Sequence, residues 1–83
     1  MTLDILYFAW VRERIGLPRE RIETAAATVA DLVAELSARE DRYALAFADL
    51  QGLRVALDQD LSDFGAPLAG VREVAFFPPM TGG

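Results

Sequence analysis

Apolar and polar positions alternate along this chain with two different periods. Residues 3–10, Leu-Asp-Ile-Leu-Tyr-Phe-Ala-Trp, are apolar at almost every position and rich in aromatic and β-branched side chains. That pattern predicts a strand with apolar side chains on both faces, central in its sheet. Residues 11–16, Val-Arg-Glu-Arg-Ile-Gly, predict a short helical turn closed by Gly16 in the left-handed conformation, and Pro18 bars its continuation. Residues 19–24 alternate weakly and predict a second, more exposed strand. The clearest helix starts at Thr28, an N-cap residue, with Asp31 in the favourable first turn. Its Val29, Leu32, Val33 and Leu36 recur at i, i+3, i+4 and i+7, one apolar stripe.

Residues 41–50 predict a shorter helix, with Tyr43 and Phe47 four apart, broken by Gln51-Gly52. Residues 53–57 predict a third strand, closed by an Asp58-Gln59-Asp60 turn. A short segment around Leu61 and a Gly65-Ala66-Pro67 loop lead to the last strand, residues 73–77, again apolar on both faces. Two such strands, one near each end, belong side by side in the middle of one sheet. The order β-β-α-β-β, with a helix across a mixed sheet, is an α+β arrangement of the ubiquitin-like, β-grasp kind. Residues 1–77 form the domain, and residues 78–83 a flexible, extended tail ending in Gly-Gly.

Composition removes much chemistry. The 83 residues make one domain, with no cysteine and no histidine. Disulfides, thiolate nucleophiles and the usual neutral-pH base are therefore absent. Every basic residue is arginine, which excludes a Schiff-base or phosphate-loop lysine. A net charge of −5 argues against nucleic acid and suits docking onto a basic protein surface. No signal peptide or bilayer-length apolar run is present, so the expectation is a cytoplasmic protein with no membrane partner.

The remaining motif candidates reduce to structure. Asp58, Asp60 and Asp63 lack the glycine and closing glutamate of a calcium loop and read as a solvated turn, with no metal site. Arg12-Glu13-Arg14 reads as a surface salt-bridge run, and Trp10 as core or rim. Gly16, Gly52, Gly65 and Gly70 form no phosphate loop. No side-chain constellation supports catalysis by this chain on its own.

The carboxylate of Gly83 remains. With a pKa near ~3.5 it is ionised and a poor electrophile until converted to an acyl-adenylate, which needs ATP and a second protein. Glycine leaves the carbonyl open on both sides and lets a narrow tail thread a channel. Pro78 and Pro79 cannot donate to a sheet ladder, so they end strand pairing and hold the chain extended. From Pro79 to Gly83 the reach is roughly 17 Å, at about 3.4 Å per residue.

The ending Glu-Val-Ala-Phe-Phe-Pro-Pro-Met-Thr-Gly-Gly resembles the signature of the small, sulfur-carrier subunits of molybdopterin synthase. The likeness runs through the opening Ile-Leu-Tyr-Phe-Ala-Trp-Val-Arg-Glu-Arg-Ile-Gly and through Asp-Arg-Tyr-Ala-Leu-Ala, at matching length. It implies a β-grasp fold and a terminal glycine adenylated by a ubiquitin-activating-like adenylyltransferase, then converted to a thiocarboxylate with sulfur from a donor protein. It implies that the tail enters the large catalytic subunit of a heterotetramer and gives sulfur to cyclic pyranopterin monophosphate. No cofactor is permanently bound; the nucleotide is the ATP used in activation. On this resemblance Gly83 bears the sulfur, and Gly82, Thr81 and Met80 line the partner's channel. Phe77, Leu61, Pro78 and Pro79 contact the partner. The chain departs from the family in having Gly70-Val71-Arg72-Glu73 where Gly-Asp-Glu is common. A sulfur carrier for another pathway, such as thiazole synthesis, a ubiquitin-like modifier, and a binding module with an incidental Gly-Gly are the competing readings.

Overall fold

The structure is a computed structural model and describes residues 1–79. Nine elements follow in order. They are strand β1 (Thr2–Tyr7), helix α1 (Ala9–Ile15), strand β2 (Arg19–Glu23), helices α2 (Val29–Arg39) and α3 (Asp41–Ala46), a short 3-10 turn (Leu50–Gly52), and strands β3 (Arg54–Leu57), β4 (Asp60–Ser62) and β5 (Glu73–Phe77). The strands form one mixed sheet in the order β2-β1-β5-β3-β4. β1 and β5 run parallel at its centre, and every other pairing is antiparallel. The β-grasp arrangement expected from the resemblance is the one observed, with the two doubly apolar strands adjacent.

All three helices bury against the same side of this sheet. Leu3, Ile5 and Tyr7 of β1, Val74 and Phe76 of β5, and Val55 of β3 share one core with the α2 stripe of Val29, Leu32, Val33 and Leu36. Thr28 caps α2 as expected, its Oγ1 accepting from the Asp31 amide at 3.2 Å. Gly16 ends α1 at φ 88°, its amide donating to the Arg12 carbonyl at 2.7 Å. A side chain there would meet the left-handed penalty that glycine escapes. Phe76 is fully buried, stacked on Tyr7 at 6.2 Å between centroids and edge-on to Phe47 at 5.0 Å.

Four local expectations need correcting. The first strand stops at Tyr7, because Ala9 enters the left-handed region (φ 52°) and α1 begins there. Trp10 therefore belongs to α1, packed half-buried on the core rim under the Arg14 guanidinium, 4.8 Å from its ring centre. The helix expected over residues 41–50 ends at Ala46. Asp49 then starts the 3-10 turn by accepting from the Gln51 amide at 3.0 Å. The segment around Leu61 is a fifth strand, β4, which with β3 forms a hairpin whose Asp58 and Gln59 both take positive φ. Finally, Arg12, Glu13 and Arg14 are exposed and make no ion pair among the described residues.

The Asp58 carboxylate is a structural group. Its Oδ1 accepts from the amides of Arg72 and Glu73 at 3.0 and 2.9 Å, stitching the hairpin to the start of β5. Asp63 folds back on the Gly65 amide at 2.9 Å. Among the described residues no acidic cluster could hold a metal ion, and no helix is long and apolar enough to cross a membrane.

Candidate docking face and tail exit

Alternation along the strands leaves a second sheet face that no helix covers. Register sets its composition. Leu6 lies opposite Ala75, Ala75 opposite Ala56, and Ala56 opposite Leu61, so one row of apolar side chains crosses four strands. Leu61, at the edge, is 72% exposed. One step further along β5, Phe77 lies opposite Arg54, on the face opposite Phe76. Phe8 continues β1 in extended conformation and is 44% exposed, the same alternation carrying it to this side. A strand apolar on both faces normally has both covered. Here no helix covers the second: Leu61 and Phe8 are exposed and Leu6, Ala56 and Phe77 half-buried, an apolar patch of the kind that marks an interaction site.

Charges flank the row on its far side. Asp4 accepts from the Arg21 Nε at 2.8 Å across the β1–β2 ladder. The hydrogen bond and charge of Arg21, helped by Arg19, hold the Asp4 carboxyl below its ordinary range. Glu23 is lowered by its hydrogen bond from Thr2 and by the terminal ammonium. The apolar band therefore runs between paired charges and the end of the sheet from which the chain leaves at Phe77.

A half-buried polar cluster fixes that end from behind. Glu20 Oε2 accepts from the phenols of Tyr7 at 2.8 Å and Tyr43 at 2.6 Å, joining β1, β2 and α3. Arg42 donates to the Ile15 carbonyl at 2.9 Å, and its guanidinium lies 5.1 Å from the Tyr43 ring centre. Burial first, then the bond to Glu20, pushes the Tyr43 phenol up to about 12, and burial raises Tyr7 as well. A raised phenol pKa means that the fold binds this proton more tightly than the unfolded chain does. The associated stability is complete below the ordinary value of 10 and is lost as pH climbs through about 12. Tyr43→Phe is expected to cost about 1 kcal/mol at neutral pH. It should also flatten part of the alkaline slope, read from denaturant midpoints along a pH series.

The residues named from the sequence divide in two. Phe77 and Leu61 lie on the same open face, Phe77 half-buried and Leu61 exposed, one strand apart across β3. Pro78 and Pro79 follow half-buried. Met80, Thr81, Gly82 and Gly83 lie outside the described residues. Sequence reading missed Leu6, Ala75, Ala56 and Phe8, which complete the face. The signal was the second apolar face of the two central strands.

A model of the ThiS family matches residues 5–83. The chain is 42% identical to the molybdopterin synthase sulfur carrier subunit of Escherichia coli strain K12, over 98% of this chain and 99% of that one. It is 37% identical, at the same coverage, to the subunit of that name from Haemophilus influenzae. Among solved structures, SAMP1 from Haloferax volcanii superposes with a TM-score of 0.78 over all of both chains, at 24% identity, a likeness of fold.

Proposed function

The chain belongs to the ThiS family, and from that premise we propose that it is the sulfur-carrier subunit of a molybdopterin synthase, acting in molybdenum cofactor biosynthesis. The observation that carries this reading is the 42% identity to a subunit of that name across almost the whole length of both chains. The family match leaves the pathway open, and the two named relatives favour this one over another sulfur-using pathway.

The chemistry proceeds at the Gly83 carboxylate. A carboxylate oxygen attacks the α-phosphate of ATP on an activating enzyme, pyrophosphate leaves, and an acyl-adenylate forms. The terminal sulfur of a persulfide on a donor protein then attacks the carbonyl carbon and AMP leaves; a thiol breaks the remaining S–S bond, forming a disulfide with the donor sulfur and releasing the thiocarboxylate. The domain docks on the large catalytic subunit through the face of Leu6, Ala75, Ala56, Leu61 and Phe77. Pro78 and Pro79 end strand pairing and direct Met80, Thr81, Gly82 and Gly83 into the partner's channel. There the sulfur passes to the pterin precursor, water supplies the replacing oxygen, and the carboxylate is restored. Residues 1–77 serve as docking body and residues 78–83 as the arm. Pro78 and Pro79 have little backbone freedom to lose at the root of the arm, which lowers the cost of binding there.

Intact-mass analysis after incubation with ATP, the activating enzyme and a sulfur source tests this. The expected product is heavier by the exchange of one oxygen for sulfur. An unchanged mass under conditions that charge a known carrier would overturn the proposal.

A further inference from the structure

A cleft of about 360 Å³ opens beside the point where the chain leaves the sheet. Its apolar lining comes from Leu50, Leu53, Val55, Leu61 and Phe64, with Arg54, Ser62 and Asp63 as its polar groups. Leu61 belongs both to this cleft and to the open face, and Arg54 lies opposite Phe77 in the β3–β5 ladder. The cleft therefore opens at the β4 edge, on the core side of Val55 and Ser62, and meets the docking face at Leu61 and Arg54.

The charges here are uneven. Acidic residues outnumber arginines thirteen to eight along the chain. Among the described residues, the ion-paired arginines are Arg21, Arg39 and Arg42. Arg54 is exposed and carries no such pair. Its Nη1 instead donates to the Leu53 carbonyl at 2.9 Å and to the Gln51 carbonyl at 3.4 Å. These bonds fix the guanidinium while leaving Nε and Nη2 without protein partners among the described residues. Asp63, the nearby acid, has its Oδ1 engaged by the Gly65 amide. An arginine held by backbone carbonyls presents a fixed fork matched to a carboxylate.

We propose that this cleft receives one large apolar side chain of the partner subunit, and that Arg54 binds a carboxylate adjacent to it on the same partner segment. The inference rests on the docking reading above and adds the chemistry that fixes register and selects the partner. The apolar row of the open face could slide against another flat apolar surface. A side chain seated in a cleft, with an ion pair next to it, admits one position. It also places the Phe77 exit over the partner's channel.

The test is calorimetric titration of the large subunit of the same synthase with the wild-type chain, Arg54→Glu and Ser62→Leu, at low and high salt. Ser62 lines the cleft, and a leucine there fills it. Arg54→Glu is expected to weaken binding by about thirtyfold at low salt and by less at high salt, since added salt screens the like charges it sets against each other. Ser62→Leu is expected to weaken binding about tenfold with the salt dependence kept. Arg54 is exposed, so that variant reports even where Ser62→Leu disturbs the edge strand. Wild-type affinity in a folded sample of either variant overturns this inference while leaving the docking reading in place. Failure of the wild-type chain to bind overturns both.

Discussion

Deletion of Gly83, or its replacement by a bulky residue, is expected to abolish charging with sulfur while leaving the fold intact. The core closes without the tail. Every buried side chain that holds helices to sheet lies between Leu3 and Phe76. Truncation therefore removes no core contact among the described residues, and the melting temperature should stay within a few degrees of wild type. The chemistry is affected differently. In the proposed reaction the activating enzyme brings a carboxylate to the α-phosphate of ATP through a narrow passage, and a Cβ at that position both widens the chain and shields one side of the carbonyl. The paired readout is thermal melting and intact mass after the activation reaction. A truncated protein that still gains sulfur would remove Gly83 from its assigned role.

The second large effect separates two adjacent phenylalanines. Phe76 is fully buried between Tyr7 and Phe47, so Phe76→Ala leaves a cavity in the aromatic centre of the core. The expected loss of folding stability is about 3–5 kcal/mol, a large share of what a domain of this size has available. Phe77 points to the other face, opposite Arg54. Phe77→Ala should cost far less stability and instead weaken association with the large subunit by about 2 kcal/mol or more. Chemical denaturation and calorimetric titration of the two variants read the two quantities independently. Equal effects on binding from both substitutions, after correction for unfolded protein, would count against the open face as the docking surface.

The way these two residues divide also marks what the sequence makes legible. Residues 73–77 form a strand within the boundaries read from their pattern, and period-two alternation alone sends Phe76 and Phe77 to opposite sides. Thr28, the α2 stripe and Gly16 are equally local, since a cap, a helical period and a left-handed glycine each act within a few residues. The edges of elements were less accessible. The apolar run through Trp10 conceals a turn, because Ala9 adopts positive φ without any glycine to announce it. The Asp58-Gln59-Asp60 turn is legible, whereas β4 beyond it, only three residues long, carries too short a pattern to read. Asp58 is held in that turn by bonds to Arg72 and Glu73, residues far along the chain. Those bonds also pin the Gly70-Val71-Arg72-Glu73 segment at the start of β5.

The candidate site was legible in its extremities. Phe77 and Leu61 stand out as apolar residues near a tail and a turn. The row that connects them, Leu6-Ala75-Ala56-Leu61, exists only through the registers of three ladders joining strands distant in sequence. Arg54 was missed for a related reason. An isolated arginine among thirteen acidic residues gives no pattern, and its position beside the tail exit follows from pairing with Phe77.

The central claim is that this chain delivers sulfur and returns, in contrast to a modifier, which transfers its carbonyl carbon to an amine and stays attached. The most direct test mixes thiocarboxylated protein with the large subunit and the pterin precursor, and follows the intact masses of both chains. The account predicts that the carrier returns at its original carboxylate mass, one carrier discharged for each sulfur of the dithiolene, with no adduct on the partner. Recovery of isopeptide-linked conjugates, with no sulfur passed to a small molecule, would contradict it.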